Sequence, residues 1–306
     1  MQSLYAFHTS PDQTINLAEK ELFHSINKSY DLYHLMLLLL VNVQEFASEQ
    51  IEMRKHKNFP TEDDLNPNTR FVNNIIIQKV SENIALQEYV NKQKLSWHDH
   101  DEMIRKLFTM LSESDEYKNY MLNENHSINN DRLIVEFFYA NIVAEIDDIH
   151  QLLEEKSIYW NDDLEFVISM IIKTLSKFKA STPDFKSLMP LFKDDDDINF
   201  TKTLFRKAVL NSTEHREIIK NHLRNWDLDR VAFIDVLIME MAICEFLYFP
   251  SVPTKVSMNE YIDLAKYYST PKSQTFINGV LDKIYNSLKK EGKILKTGRG
   301  LIGENK

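Results

Sequence analysis

The chain has 306 residues, with 36 Lys and Arg against 46 Asp and Glu, which is enough length for one large or two ordinary domains. Its first 278 residues contain no glycine, and this excludes phosphate-binding loops there, because such loops need glycine where the backbone turns sharply and its N–H groups approach phosphate. Asn-Gly hairpins are excluded with them, and the abundant Leu, Ile, Met, Glu and Lys predict an all-α fold.

The first part of the chain predicts a series of helices. Asp12 and Thr14 can cap a long helix that runs into the fifties, with apolar residues at intervals of three and four. The patterns predict further helices at residues 69–90, 98–110, 115–122, 129–155 and 161–179. Residues 181–197, with two prolines and a run of four aspartates at 194–197, predict a linker. We interpret the aspartates as a solvated cap or linker rather than a cation site.

A helical pattern restarts at Phe200. The segment from Leu228 to Phe249 is apolar nearly all round, which predicts the central helix of a bundle. Two more helices follow it, each after a proline connector, and Gly279 lies inside the second. Glycine inside a helix costs about 1 kcal/mol relative to alanine, so we expect Gly279 to serve a close contact between helices.

The single cysteine, Cys244, lies in an apolar run, so no internal disulfide can form and we expect a buried, inert thiol. The longest apolar run, Leu35 to Val41, falls short of the ~20 residues of a membrane helix and predicts a buried helix face. The N-terminus lacks the pattern of a signal peptide. These features predict a cytoplasmic protein.

Charge is distributed unevenly along the chain. Residues 200–306 contain 17 Lys and Arg against 12 Asp and Glu, whereas the residues before them contain 19 against 34. Such a basic segment beside an acidic body indicates a polyanion partner at one end of the molecule. A solvated, Lys-rich tail would produce the same excess of positive charge, and charge alone does not separate the two interpretations.

The sequence gives little support for a catalytic or metal-binding site. Asp235, Glu240 and Glu245 interrupt the apolar helix, but no histidine or metal-spaced partner lies near them in the sequence, so capping, packing or a protein interface explains them better. In the run from Trp97 to Asp101, residues two apart on a helix would face different directions. We therefore predict no catalytic site, no metal site and no cofactor.

The C-terminal part of the chain resembles a known family. The runs from Val252 to Tyr268 and from Ser273 to Ile284 look like the C-terminal half of the transcription antitermination factor NusB family. They preserve a proline connector, an Asn-Glu pair, an Ala-Lys pair and a Phe-x-Asn-Gly-Val-Leu-Asp-Lys string, in that order. Asp235 with Met239 to Phe246 resembles the family's central helix, and Gln2 to Phe7 resembles the end of its first helix.

The resemblance implies a NusB-like helical bundle with a large all-helical insertion. The implied parts are residues 1–45 and 198–290 for the bundle, residues 46–197 for an acidic insertion with its linker, and residues 291–306 for a basic tail. Family members bind the boxA element of nascent ribosomal RNA together with the ribosomal protein NusE, and they are not enzymes. The implied function is therefore that of an RNA-binding transcription antitermination factor that presents boxA-like single-stranded RNA and NusE to the RNA polymerase elongation complex.

The resemblance also implies site residues. Phe276 matches a position near the family's RNA surface, and Lys272 lies just before it. Together they could stack on a base and meet a phosphate, or Phe276 could simply belong to the core. Asn278 and Lys283 belong to the same string, and Asn278 could instead satisfy a buried backbone group.

Two further positions, Tyr5 and Asp235, match residues that lie toward NusE in the family. Asp235 on an apolar helix needs a partner, which could come from NusE or from within the chain. The family's first helix begins with an arginine-rich stretch that contacts RNA, and the residues after Met1 contain no such stretch. We expect either that the true start of the protein lies further upstream or that other cations replace these arginines.

Two alternatives to this interpretation remain. A non-enzymatic helical scaffold or ribosome-assembly protein could keep the fold and lose RNA binding, which the missing arginines favour and the basic C-terminal part opposes. An RNA-modifying enzyme is the second alternative, since similar helical domains precede the catalytic domain of some ribosomal RNA cytosine methyltransferases. The absence of glycine through residue 278 leaves no cofactor loop for such an enzyme.

Overall fold

A computed structural model describes residues 1–10, 12–179, 188–223 and 227–303. Every regular element in these ranges is helical, which confirms the predicted all-α fold class. Among the described helices, none combines the length and hydrophobicity that a membrane span requires. The α-helices are α1 (Gln2–Thr9), α2 (Ile15–Lys55), α3 (Glu62–Leu65), α4 (Ile75–Ser81), α5 (Ile84–Gln93), α6 (Asp101–Glu113), α7 (Asp115–Leu122), α8 (Ile128–Phe137), α9 (Asp147–Lys156), α10 (Leu164–Leu175), α11 (Asp195–Leu210), α12 (Ser212–His222), α13 (Phe233–Tyr248), α14 (Thr254–Tyr268) and α15 (Ser273–Lys290).

The chain forms two compact units. The first unit comprises Met1–Phe23 with Phe192–Lys306, and the second comprises His24–Leu191. Helix α2 therefore contributes its first residues to the first unit and its remainder to the second. The domain assignment from the sequence, with boundaries after residues 45, 197 and 290, stays a prediction.

Helix α13 is the centre of the first unit, as its sequence predicts. Every residue from Asp235 to Phe246 is buried, and α11, α12, α14 and α15 pack around the helix. A helix that is apolar on nearly every face requires such surroundings. The helix begins at Phe233 rather than at Leu228, because Val231 and Ala232 adopt extended backbone conformations.

The segment after α15 folds back onto the end of α13. The backbone N–H of Thr297 donates to the carbonyl of Pro250 at 2.9 Å. Gly300 is buried against the same residue, and a Cβ atom there would lie 1.9 Å from the Pro250 oxygen. Lys296 donates from Nζ to the carbonyls of Glu245 and Phe249, at 3.3 and 3.0 Å, and so adds a cationic donor at the C-terminal end of α13, where the helix dipole favours positive charge.

The predicted basic tail is attached to the first unit at Lys296 and Gly300, whereas most of its described residues are exposed. Lys293 lies 2.8 Å from Glu291, and the turn Gly298–Leu301 follows it. Residues 304–306, the end of that predicted tail, lie outside the described residues.

The second unit is built around the apolar run of α2. The run from Leu35 to Val41 is buried apart from the half-buried Leu38, which confirms the predicted helix face. The indole N–H of Trp97 donates to the Leu35 carbonyl, and the hydroxyl of Tyr139 donates to the Met36 carbonyl, each at 2.8 Å. These bonds attach the loop before α6 and the segment after α8 to the same stretch of α2.

Two predicted helices of this unit are interrupted. The continuous helix predicted at residues 69–90 is wrong, because the side chain of Asn83 accepts the Leu86 N–H at 3.0 Å and starts a new helix. The helix predicted at residues 129–155 is also broken. A π-helical turn, Phe138–Val143, follows α8, and extended backbone at Ile146 separates it from α9.

The predicted linker, residues 181–197, includes residues 181–187, which lie outside the described residues. Its acidic run confirms the expected cap. The side chain of Asp194 accepts the Asp196 N–H at 3.1 Å, and three more aspartates occupy the first turn of α11. Carboxylates at a helix N-terminus interact favourably with the helix dipole, so these residues are explained without a cation.

Candidate nucleic-acid interface

Helix α15 presents a cation, an aromatic ring and a second cation along one side. Lys272 immediately precedes the helix, Phe276 lies in its first turns, and Lys283 follows seven residues later. Spacings of four and seven residues place side chains on the same face of an α-helix. Both lysines are exposed, and neither forms an ion pair within 4.0 Å among the described residues.

Phe276 fits both interpretations of its position, as a core residue and as a ring on which a base could stack. One side of its ring packs against the core of the first unit, in which Ile277 and Val280 are buried. The side chain is nevertheless only half-buried, so part of the ring remains accessible. It is therefore positioned by packing while keeping a surface on which a planar group could stack.

Asn278 does not lie with these residues. Two positions after Phe276, it is turned by roughly 160° around the helix at ~100° per residue. Its side chain is exposed, so it does not satisfy a buried backbone group. The structure thus brings Lys272, Phe276 and Lys283 to one face and leaves Asn278 on another, and its role in RNA binding stays a prediction.

Gly279 corrects an expectation from the sequence. No atom of the described residues lies within 4 Å of the Cβ that an alanine would add there, and the residue is exposed. The predicted close contact between helices at this position is therefore wrong. Gly279 lies on the face of Phe276 and Lys283, because it is three residues after the first and four before the second.

Asp235 lies at the base of the connector that leads to this face. Its side chain is 4% exposed and accepts a hydrogen bond from the hydroxyl of Ser269. The Ser269 oxygen also lies 2.9 Å from the Ser273 hydroxyl, which is in turn 2.9 Å from that of Thr270. Asp235 thus has a partner within the chain, in the connector that carries Lys272, and its role toward NusE stays a prediction.

Tyr5 belongs to a cluster that the sequence did not reveal. Its side chain is 44% exposed, and its ring centroid lies 5.5 Å from that of Phe233. The centroid of the Phe233 ring also lies 6.0 Å from that of His8 and 5.5 Å from the guanidinium carbon of Arg216. We call Tyr5, His8, Phe233 and Arg216 the α1 cluster. It offers an aromatic surface with one cation, a composition common in protein interfaces.

Arg216 is held in the cluster by a buried acid. Its Nε donates to Glu240 Oε1 at 2.6 Å, and Ser212 donates to the same oxygen at 3.2 Å. Burial raises the pKa of Glu240 above its ordinary value, although the hydrogen bond from Arg216 opposes that shift. The sequence marked Glu240 as a polar interruption of an apolar helix but gave no sign of its partner.

The other buried polar groups of α13 also have partners within the first unit. Glu245 accepts the hydroxyls of Ser257 and Tyr261 at 2.7 and 2.6 Å. Cys244 is fully buried, with Sγ 3.8 Å from His215 Nδ1, and burial raises its thiol pKa well above the ordinary value. The thiol therefore remains protonated at neutral pH, in agreement with its predicted inertness. No group of three or more His, Cys, Asp or Glu within the described ranges could hold a metal ion.

Comparisons with known proteins point in one direction. The NusB family model matches residues 179–286. The chain is 47% identical over 115 residues to the transcription antitermination protein NusB of Salinibacter ruber, covering 38% of this chain and 72% of that protein. It is 44% identical over 104 residues to that of Chloroherpeton thalassium, covering 34% and 49%.

A solved structure titled T. maritima NusB is also similar. It covers 45% of this chain and 84% of its own, with 23% sequence identity and a TM-score of 0.30. Among the curated relatives, that of Finegoldia magna is 43% identical over 93 residues, and the chain covers 65% of it. The matched part of these relatives thus ranges from about half to nearly three quarters of their length.

Proposed function

Because the chain belongs to the NusB family of transcription antitermination proteins, we propose that it is an RNA-binding antitermination factor acting on ribosomal RNA transcription. In this proposal it binds a boxA-like single-stranded element of nascent RNA in the cytoplasm. It does so together with the ribosomal protein NusE and presents both to the RNA polymerase elongation complex. Its role is one of binding, without catalysis.

The observation that carries the proposal is the face of α15 with Lys272, Phe276 and Lys283. Recognition of single-stranded RNA combines cations that meet phosphates with aromatic rings on which bases stack. The half-buried ring of Phe276 is fixed by the core of the first unit, so little side-chain freedom is lost when a base stacks on it. The exposed lysines on either side of it supply the charge.

The α1 cluster supports the second part of the proposal. The exposed Tyr5 and the half-buried Phe233 form a partly accessible aromatic surface, and Arg216 is fixed by its ion pair with Glu240. Aromatic and arginine side chains held in place in this way are typical anchors of a protein interface. We assign the cluster to NusE, and we assign Asp235 to holding the connector beside the RNA face.

The acidic second unit fits a role away from the RNA. Residues 24–191 contain 17 Lys and Arg against 27 Asp and Glu, whereas the first unit contains 19 of each. Excess negative charge repels phosphate, so the second unit confines RNA to the first and limits indiscriminate adhesion.

The test is a binding titration with a boxA-like single-stranded RNA, with and without NusE, across a salt series and beside a scrambled RNA. The proposal predicts sequence-selective binding that weakens with salt and tightens when NusE is present. If neither RNA binds even with NusE, the chain is instead a helical scaffold or ribosome-assembly protein that has lost RNA binding.

A further inference from the structure

Gly279 lacks an explanation inside the protein. It lies in the interior of an 18-residue helix, where glycine is less stable than alanine because its backbone loses more conformational freedom on folding. Nothing within 4 Å would obstruct a Cβ atom. Packing therefore does not require glycine here. Backbone geometry does not require it either, since among the glycines only Gly292, Gly298 and Gly303 adopt positive φ.

The position of Gly279 on the helix suggests an external reason. Five other residues share the face of Gly279, because each residue of the set is three or four positions from the next. We call this set the α15 stripe: Lys272, Phe276, Gly279, Lys283, Asn286 and Lys290. At ~100° per residue they stay within a sector of roughly 80°, and at ~1.5 Å per residue they extend over about 27 Å.

The charge of the stripe is uniform. Lys272, Lys283 and Lys290 are exposed and form no ion pair within 4.0 Å among the described residues. The nearest acids lie beside the stripe. Asp282, three residues after Gly279, is turned by roughly 80–100° from the lysines, and Glu291, just past the end of the helix, is engaged by Lys293 at 2.8 Å. The stripe therefore presents three unpaired cations in a row, with an aromatic ring and a gap without a side chain between the first two.

We infer that the sugar–phosphate backbone of single-stranded RNA runs along the α15 stripe and passes closest to the helix at Gly279. This inference rests on the proposed function and extends its RNA surface beyond Lys283 to Asn286 and Lys290. The missing Cβ lets the strand approach the helix backbone, in the way that glycine permits close approach of a ligand elsewhere. A base next to this point stacks on Phe276, and the lysines meet phosphates on both sides.

The decisive variant is Gly279→Ala. It adds one methyl group to an exposed helix position, so the thermal unfolding midpoint should rise, whereas affinity for a boxA-like single-stranded RNA in the presence of NusE should fall at least tenfold. The matched control is Gln274→Ala, at a position of the same helix that is turned by roughly 140° from Gly279. It should change stability in the same direction and leave RNA affinity unchanged.

Lys290→Ala tests the far end of the stripe. Each phosphate contact of a single strand contributes roughly 0.7 to the slope of log affinity against log salt, so this variant should reduce the slope by about that amount. Wild-type affinity in Gly279→Ala, or an equal loss in Gln274→Ala, would overturn the inference while the proposed function stands. If the wild-type protein binds no RNA with NusE present, the proposed function fails and the inference fails with it.

Discussion

The hydroxyl of Ser269 donates a hydrogen bond to the buried carboxylate of Asp235 and thereby joins the first turn of α13 to the connector before α15. Ser273, at the start of α15, continues the network through its contact with Ser269. The position of Lys272 thus depends on a carboxylate buried in the central helix. This relationship connects the stability of the first unit to the proposed RNA face.

Asp235→Ala should therefore affect both stability and binding. Removing the carboxylate leaves the half-buried hydroxyl of Ser269 without this acceptor, which should lower the free energy of unfolding by about 1–3 kcal/mol. RNA affinity should fall as well, because the connector that carries Lys272 loses its attachment. Urea denaturation and RNA titration would measure the two effects. Asp235→Asn, which keeps an oxygen toward Ser269, should retain most of both, and equal losses in the two variants would contradict the role given to this bond.

Phe276→Leu separates stacking from packing. Leucine keeps an apolar side chain against the core, so the free energy of unfolding should change by less than about 1.5 kcal/mol. The lost ring should cost about 1–3 kcal/mol of binding free energy, the usual value for one stacked base. RNA titration and urea denaturation would be compared with Phe276→Tyr, which keeps a ring. Unchanged RNA affinity in Phe276→Leu would show that no base stacks there.

Arg216→Met should make stability strongly dependent on pH. Without its partner, Glu240 is an uncompensated buried carboxylate, and the loss of one member of a buried ion pair costs about 3–5 kcal/mol. Burial already raises the pKa of Glu240, and the loss of Arg216, which lowers it, should raise it further. A folded state with the higher pKa binds more protons than the unfolded state. Stability should therefore be retained below the ordinary pKa of glutamate and decline as pH rises through the folded-state pKa.

Urea denaturation of Arg216→Met at pH 5 and pH 8 would measure this dependence. The double variant with Glu240→Gln provides the control, since it removes the titrating group, and its stability should vary less between the two pH values. An equal loss of stability at both pH values in Arg216→Met would show that Glu240 does not carry the effect.

Tyr5→Ala should weaken NusE binding and leave the fold intact. The side chain is 44% exposed and contributes little to the core, so the free energy of unfolding should change by only about 0.5 kcal/mol. As an aromatic anchor it should contribute at least about 1 kcal/mol to the interface. The control is Tyr267→Ala, a more exposed tyrosine on α14 outside the α1 cluster. If both variants bind NusE equally well in calorimetry, the cluster is not the interface.

The parts of the fold that depend on local pattern were predictable. The apolar character of α13 indicated a central helix, and the aspartates at residues 194–197 indicated a cap. Asn83 shows where local pattern is insufficient, because asparagine is tolerated inside helices and only the bond to Leu86 reveals that it starts one. The apolar pattern of residues 138–143 is also compatible with an ordinary α-helix, so it could not predict the π-helical turn there.

The candidate site was predictable only in part. The string around Phe276 indicated a candidate RNA face through its resemblance to a family, and the helical spacing then placed Lys283 on the same face. Partnerships between residues distant in the chain were not accessible. The ion pair of Arg216 with Glu240 joins residues 24 positions apart, and the sequence contains nothing that selects this pairing. Gly279 was misjudged because composition identifies a costly residue but not the direction in which it faces.

The most direct test of the account is cross-linking with a boxA-like single-stranded RNA that carries 4-thiouridine, in the presence of NusE and an excess of scrambled competitor. Peptides bound to RNA would be identified by mass spectrometry. The account predicts cross-links concentrated on α15, at residues 272–290, that Gly279→Ala reduces. Cross-links confined to residues 24–191, or removed entirely by the scrambled competitor, would contradict it.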